Sequence, residues 1–61
     1  MKLYLVFEHF KGEKFLCEIF TLQSRAAKDA LERNAKEEKF RAAGYIGPKP
    51  HYQVEEWEIQ E

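Results

Sequence analysis

The chain has 61 residues, of which 34% are charged, and its formal net charge is −1. A chain of this length forms at most one domain, which buries only about 60% of the surface that the unfolded chain exposes. A charge this balanced gives no long-range field toward nucleic acid or an anionic membrane. The single cysteine rules out an internal disulfide, so stability has to come from the aromatic residues, 15% of the chain, or from self-association.

The beginning of the chain is apolar for only a few residues. Residues 3–7 are followed at once by Glu8 and His9, whereas a signal peptide needs about 7–15 apolar residues and a membrane span roughly 18. We therefore expect a cytoplasmic protein without membrane association. His9, His51 and Cys17 lack the spacing of zinc ligands, so neither a metal nor a cofactor is expected.

Two β-strands are predicted in the first third of the chain. Residues 3–10 are apolar at both parities, which is typical of a central strand. Residues 11–14, Lys-Gly-Glu-Lys, indicate a hairpin turn, and a second strand follows at about 14–21. Alternation along the second strand places Phe15, Cys17 and Ile19 on one face and Leu16, Glu18 and Phe20 on the other.

Strong helix formers predominate from about residue 24 to residue 43 and predict one helix. Thr21 or Ser24 can cap its beginning, and Gly44 is placed to end it. A helical period puts the following residues on one apolar stripe that can lie close to the sheet: Ala27, Ala30, Leu31, Asn34 and Ala35.

Phe40 lies about 180° from Leu31 on this predicted helix. Either the helix breaks near residues 36–39 and Phe40 returns to the core, or Phe40 remains exposed. An exposed Phe40 would form a partner-binding patch with the Gly- and Pro-rich loop that follows the helix. The residues predicted for this patch are Phe40, Tyr45, Ile46 and Pro48.

The last segment, at about residues 52–59, is predicted to be a third strand. Its apolar residues change parity after Val54, and a β-bulge at Glu55-Glu56 would restore a single apolar face. Glu56 and Glu58 are expected on a solvated face that discourages edge-to-edge aggregation. Alternatively, these two carboxylates contact a basic surface of a partner.

The order strand, strand, helix, strand predicts a small α+β domain of ββαβ type, spanning residues 1–61. In it, one helix packs on one face of a three-stranded sheet. We expect the first strand in the middle and, after a right-handed crossover, the third strand parallel to it. Because a single helix covers only one face, a homodimer through the uncovered face is expected.

No constellation of residues predicts catalysis. Cys17 is the candidate nucleophile, but a thiol within an apolar strand is expected to be buried and inert. The predicted function is therefore non-enzymatic protein binding. The alternative is nucleic-acid binding through sheet aromatics and basic helix residues, although the strands contribute only Lys2, Lys11 and Lys14.

Two segments resemble a group of short, uncharacterised bacterial and phage-encoded proteins. These segments are residues 1–7, Met-Lys-Leu-Tyr-Leu-Val-Phe, and residues 54–59, Val-Glu-Glu-Trp-Glu-Ile. The architecture is also similar to small phage accessory proteins that inhibit host proteins by direct contact. The resemblance implies a ββαβ fold, a host protein as partner and, for a phage-encoded chain, the host cytoplasm as its location. The chain departs from the group at residues 36–43 and in its Gly-Pro-Lys-Pro loop.

Overall fold

The structure, a computed structural model, describes residues 1–44 and 47–60. Its elements are β1 (Lys2–Phe10), β2 (Glu13–Phe20), α1 (Gln23–Ala42) and β3 (His51–Glu58). The three strands form one sheet, and α1 packs on one of its faces. The predicted α+β ββαβ fold is confirmed.

A two-residue turn joins β1 to β2. Phe10 pairs with Glu13, and the φ angles of Lys11 and Gly12 between them are 52° and 78°. A type I′ turn requires positive φ at both central residues, and this turn matches the twist of the strands that it connects. The hairpin therefore forms where the sequence predicts it.

The sheet has the order β2-β1-β3, with β1 in the middle as predicted. However, β3 runs antiparallel to β1, so the prediction of parallel pairing is wrong. Because β1 and β2 are antiparallel, a single helix after β2 returns the chain to the end of the sheet where β2 began. The next strand then repeats the direction of β2 and opposes the direction of β1.

The irregularity in strand register lies between β1 and β2. Pairing of β1 with β3 is continuous from Lys2 with Glu58 to His9 with His51, so the predicted bulge at Glu55-Glu56 is wrong. In the other ladder, Val6 pairs with Glu18 while Phe7 pairs with Leu16, which leaves Cys17 as the extra residue of a bulge. This bulge shifts the faces of β2: Cys17 and Phe20 lie on the helix side, and Leu16 and Ile19 on the opposite side.

The core lies between α1 and β1. Val6 is fully buried against Ala26 and Ala30 of the helix, whose small side chains let the backbone approach the sheet. The surrounding half-buried side chains are Tyr4, Cys17, Phe20, Tyr52 and Val54. Ala30 and Asn34 face the sheet as predicted, but Leu31 is 70% exposed and Ala26 takes the place predicted for Ala27.

Asn34 explains the rotation of the helix. Its side-chain Nδ2 donates to the Tyr52 carbonyl oxygen at 3.0 Å, and its Oδ1 accepts from the Tyr52 backbone N–H at 2.9 Å. The Arg33 guanidinium, paired with Asp29 at 2.7 Å, lies 5.8 Å from the centre of the Tyr52 ring. These polar contacts hold α1 against β3 and turn Leu31 toward solvent.

The two ends of α1 differ from each other in how they are capped. Leu22 occupies the N-cap position without a side-chain hydrogen bond, so the predicted cap by Thr21 or Ser24 is wrong. At the other end, Gly44 has a φ of 98°, and its N–H donates to the Arg41 carbonyl oxygen at 3.0 Å. The prediction that Gly44 ends the helix is confirmed.

Candidate functional site

The sheet face opposite α1 carries an apolar surface. Leu5 and Phe7 lie at its centre on β1, and the rings of Phe7 and Trp57 are 6.2 Å apart between centroids. Leu16, Ile19 and Trp57 are each about half exposed. This surface, named the open face, consists of Leu3, Leu5, Phe7, Leu16, Ile19 and Trp57.

A polar bridge crosses the open face from β2 to β3. The Lys14 ammonium lies 2.6 Å from a Glu55 carboxylate oxygen and 4.4 Å from the centre of the Phe7 ring. Trp57 Nε1 donates to the other Glu55 oxygen at 3.1 Å. The hydrogen bond from Lys14, followed by that from Trp57, holds the pKa of Glu55 below its ordinary value. The bridge covers Phe7, which is only 7% exposed although no helix covers it.

A second surface lies at the C-terminal end of α1. The helix continues through Phe40 to Ala42, and Phe40 is 60% exposed. The interpretation that the helix breaks and returns Phe40 to the core is therefore wrong. Phe40 borders a cleft of about 370 Å³ on the helix side of the sheet. The residues that line this cleft are Glu8, Phe10, Glu37, Phe40, Pro48 and Pro50.

Contacts between α1 and the following loop shape one side of the cleft. The Arg41 guanidinium donates to the Gly47 carbonyl oxygen at 3.2 Å, and Lys49 forms an ion pair with Glu38. Both contacts hold residues 47–49 against the last two turns of the helix. Pro48 and Pro50 consequently lie close to Phe40.

The predicted partner-binding residues do not form one surface. Phe40 and Pro48 meet at the cleft, whereas Glu56 and Glu58 lie near the far end of β3, roughly 20 Å away at the rise of a strand. Both carboxylates are exposed and pair with cations of the N-terminal segment: Lys2 with Glu56 at 2.9 Å, and the terminal ammonium with Glu58 at 3.6 Å.

The other two predicted patch residues, Tyr45 and Ile46, lie outside the described residues. Sequence reasoning missed Glu8, Phe10 and Glu37 as neighbours of Phe40. The helical period does place Glu37 beside Phe40, three residues apart. No local pattern links these two residues with the end of β1, because only the packing of α1 across the sheet brings them together.

Cys17 occupies the bulge of β2 and packs half-buried against the core, and its Sγ lies 3.8 Å from the Phe15 carbonyl oxygen.

Across residues 1–44 and 47–60, no three His, Cys, Asp or Glu side chains are grouped to hold a metal ion. The Nε2 of His9 is shielded from solvent without a hydrogen-bond partner in the described part of the chain. His9 on β1 lies opposite Lys14 on β2 in the strand ladder, so the two side chains are on the same face of the sheet.

Comparison of the chain with protein-family models, curated proteins and solved structures gave no match. In the described part of the chain, α1 is too polar to qualify as a bilayer-crossing helix. Function is therefore inferred from the two surfaces of the chain itself, the open face and the cleft.

Proposed function

We propose that this chain is a non-enzymatic protein-interaction module that self-associates through the open face and leaves the opposite side free for a partner protein. The observation that carries the proposal is the open face itself. Its six apolar side chains are contiguous across all three strands, and three of them are about half exposed. Contiguous apolar patches of this kind mark interaction sites.

The exposed area supports a second copy of the chain as the occupant of the open face. The folded chain exposes 4800 Å², which is about 600 Å² more than the roughly 4,200 Å² typical of a folded monomer of this mass. Each partner in a standard interface buries about 800 Å². The excess is therefore about three quarters of the area that one standard interface removes from solvent on each partner.

The charges on the open face also favour self-association. The strands contribute one lysine to this side of the sheet, Lys14, and it is paired with Glu55. Two copies that meet face to face therefore bring no unpaired like charges together. Single-stranded nucleic acid would instead require a basic groove beside the aromatic rings, so the same arrangement favours a protein partner.

A narrower function as a phage accessory protein that inhibits a host protein remains a prediction, drawn from the similarity of the architecture to small phage proteins that inhibit host proteins. The proposal of a protein-binding module is independent of that resemblance. It rests on the exposed apolar area and on the neutral polar bridge between Lys14 and Glu55.

The solution mass tests self-association. Sedimentation equilibrium over about a hundredfold range of concentration should show a monomer–dimer equilibrium, because association depends on concentration. The substitution Ile19→Lys places a charge at a half-exposed position of the open face and should shift the chain to monomer. Leu31→Lys, on the exposed side of α1, is the matched control and should leave the dimer intact.

Trp57 supplies a second readout because it is the only tryptophan and lies on the open face. Its emission should move to shorter wavelength as the concentration rises, and this shift should disappear in Ile19→Lys. A mass that stays monomeric at every concentration, with unchanged Trp57 emission, would contradict self-association.

A further inference from the structure

Two carboxylates in the cleft have no cationic partner. Glu8 and Glu37 are half-buried, and neither lies within ion-pair distance of a lysine or arginine in the described part of the chain. The nearby cation of the loop, Lys49, is already paired with Glu38. The cleft therefore presents two carboxylates that form no ion pair in the described part of the chain.

The remaining surface of the cleft is apolar and partly aromatic. Phe10, Phe40, Pro48 and Pro50 line it together with the two carboxylates. The ring of Phe10 already has a cation, the Lys11 ammonium, at 5.4 Å from its centre. Aromatic faces attract cations, and alkyl chains pack on proline and phenylalanine side chains. A volume of about 370 Å³ lies at the lower end of ligand-binding pockets and suits a side chain rather than a whole domain.

We infer that the cleft binds a lysine or arginine side chain of a partner protein. The alkyl stem packs on Phe40 and the two prolines, and the charged end reaches Glu8 and Glu37. A purely apolar ligand would remove water from both carboxylates without replacing their hydrogen bonds, which is unfavourable. A small inorganic cation would leave the apolar lining unused. This inference rests on the proposed function and adds the chemistry of the partner.

Binding of short peptides to the ¹⁵N-labelled chain tests the inference. The probe is an acetylated and amidated Gly-Leu-Arg-Leu-Gly peptide, compared with versions that carry lysine or glutamine in place of arginine. The arginine and lysine peptides should shift the amide resonances of Glu8, Phe10, Glu37 and Phe40. The glutamine peptide should bind about tenfold more weakly or not at all, because charge-assisted hydrogen bonds are lost.

Matched variants identify the residues that bind. Glu8→Gln combined with Glu37→Gln preserves side-chain shape and should weaken the arginine peptide about tenfold. Phe40→Ala should weaken it as well. The controls on the same helix, Glu32→Gln and Leu31→Ala, should leave the affinity unchanged.

Equal binding of the glutamine peptide, or unchanged affinity in the double glutamine variant, would overturn the inference. Shifts confined to Leu16, Ile19 and Trp57 would also overturn it, since they would place the peptide on the open face. Failure here is distinguishable from failure of self-association. The double glutamine variant should still form dimers, and monomeric Ile19→Lys should still bind the arginine peptide, because the cleft and the open face lie on opposite sides of the sheet.

Discussion

At the scale of single residues, Asn34 does more to position the helix than the larger apolar side chains near it. Its amide forms hydrogen bonds with both the N–H and the carbonyl oxygen of Tyr52. Leu31, which is larger and apolar, remains mostly in solvent. A pair of specific hydrogen bonds to a strand backbone therefore fixes the rotation of a helix whose apolar stripe consists mainly of alanine.

We expect Asn34→Ala to lower the free energy of unfolding. Loss of two partly buried hydrogen bonds costs about 1–3 kcal/mol, and the better helix propensity of alanine returns at most about 0.7 kcal/mol. Denaturant unfolding measures the net effect, which should be about 1 kcal/mol. Asn34→Asp should not rescue stability, because its second oxygen faces the Tyr52 carbonyl oxygen. Glu32→Ala, at an exposed position of α1, should change stability little, and an equal loss there would contradict this role of Asn34.

We expect the Glu55 carboxyl to make the stability of the fold depend on pH. Hydrogen bonds from Lys14 and Trp57 hold the pKa of the folded carboxyl below its ordinary value of 4.5. Its contribution to stability is therefore present above pH 4.5 and is lost as the pH falls through the lower folded pKa. As the pH is lowered through this range, the denaturant concentration at the unfolding midpoint should fall more steeply in the wild-type chain than in Glu55→Gln.

Trp57 reports on the same titration because its Nε1 donates to Glu55. Its fluorescence should change in the same acidic range, and Lys14→Met should move that change toward the ordinary pKa of a carboxyl. Identical pH profiles for the wild-type chain and Glu55→Gln would show that the polar bridge does not stabilise the fold.

At the scale of the elements, the residues of the hairpin turn favour the turn that forms, whereas the residues at the beginning of α1 do little to start a helix. The turn at Lys11-Gly12 has the backbone angles that its connection requires. The N-terminus of α1 has neither a capping side chain at Leu22 nor an acidic residue in its first turn. Tertiary packing of Ala26 and Ala30 on Val6 compensates for this weak start.

Leu22→Asp should therefore stabilise the chain. Leu22 already has the extended backbone conformation of an N-cap, with φ −117° and ψ 127°, and its side chain is about half exposed. An aspartate there can accept hydrogen bonds from free N–H groups and interacts favourably with the helix dipole, an effect of about 1 kcal/mol. Thermal and denaturant unfolding measure the gain. Leu22→Ala separates capping from loss of the leucine side chain, and equal stability of the two variants would contradict the capping account.

At the scale of the whole molecule, the chain is long and thin. Its principal extents are 47 × 23 × 10 Å and its radius of gyration is 13.2 Å, compared with about 10.5 Å for a compact domain of this length. Five hydrophobic side chains form the buried set of the described residues, and of these only Val6 and Ala26 have no exposed surface. A second layer over the open face would give the sheet an apolar neighbour on both sides.

Stability should consequently rise with protein concentration. If the folded chain dimerises and the unfolded chain does not, mass action raises the unfolding midpoint as the concentration increases. Thermal unfolding at several concentrations measures this dependence, which Ile19→Lys should abolish and Leu31→Lys should retain. A midpoint that is independent of concentration in the wild-type chain would be inconsistent with a dimer in the folded state.

Local chemistry in the sequence determined the elements of this protein. The turn residues Lys11-Gly12, the helix-forming segment and Gly44 each act on their immediate neighbours, so the predicted bounds of the strands and of α1 lie within one residue of the observed ones. The central place of β1 was also predictable, because both its odd-numbered and its even-numbered residues, which face opposite sides of the sheet, are mostly apolar.

Only the tertiary structure decided which side chains share a surface. The bulge at Cys17 interrupted the alternation of faces along β2, and the hydrogen bonds between Asn34 and Tyr52 rotated α1. The meeting of Phe10 with Phe40 follows from the crossing of the helix over the sheet. These outcomes depend on contacts between residues far apart in the chain, which the local pattern of each element does not contain.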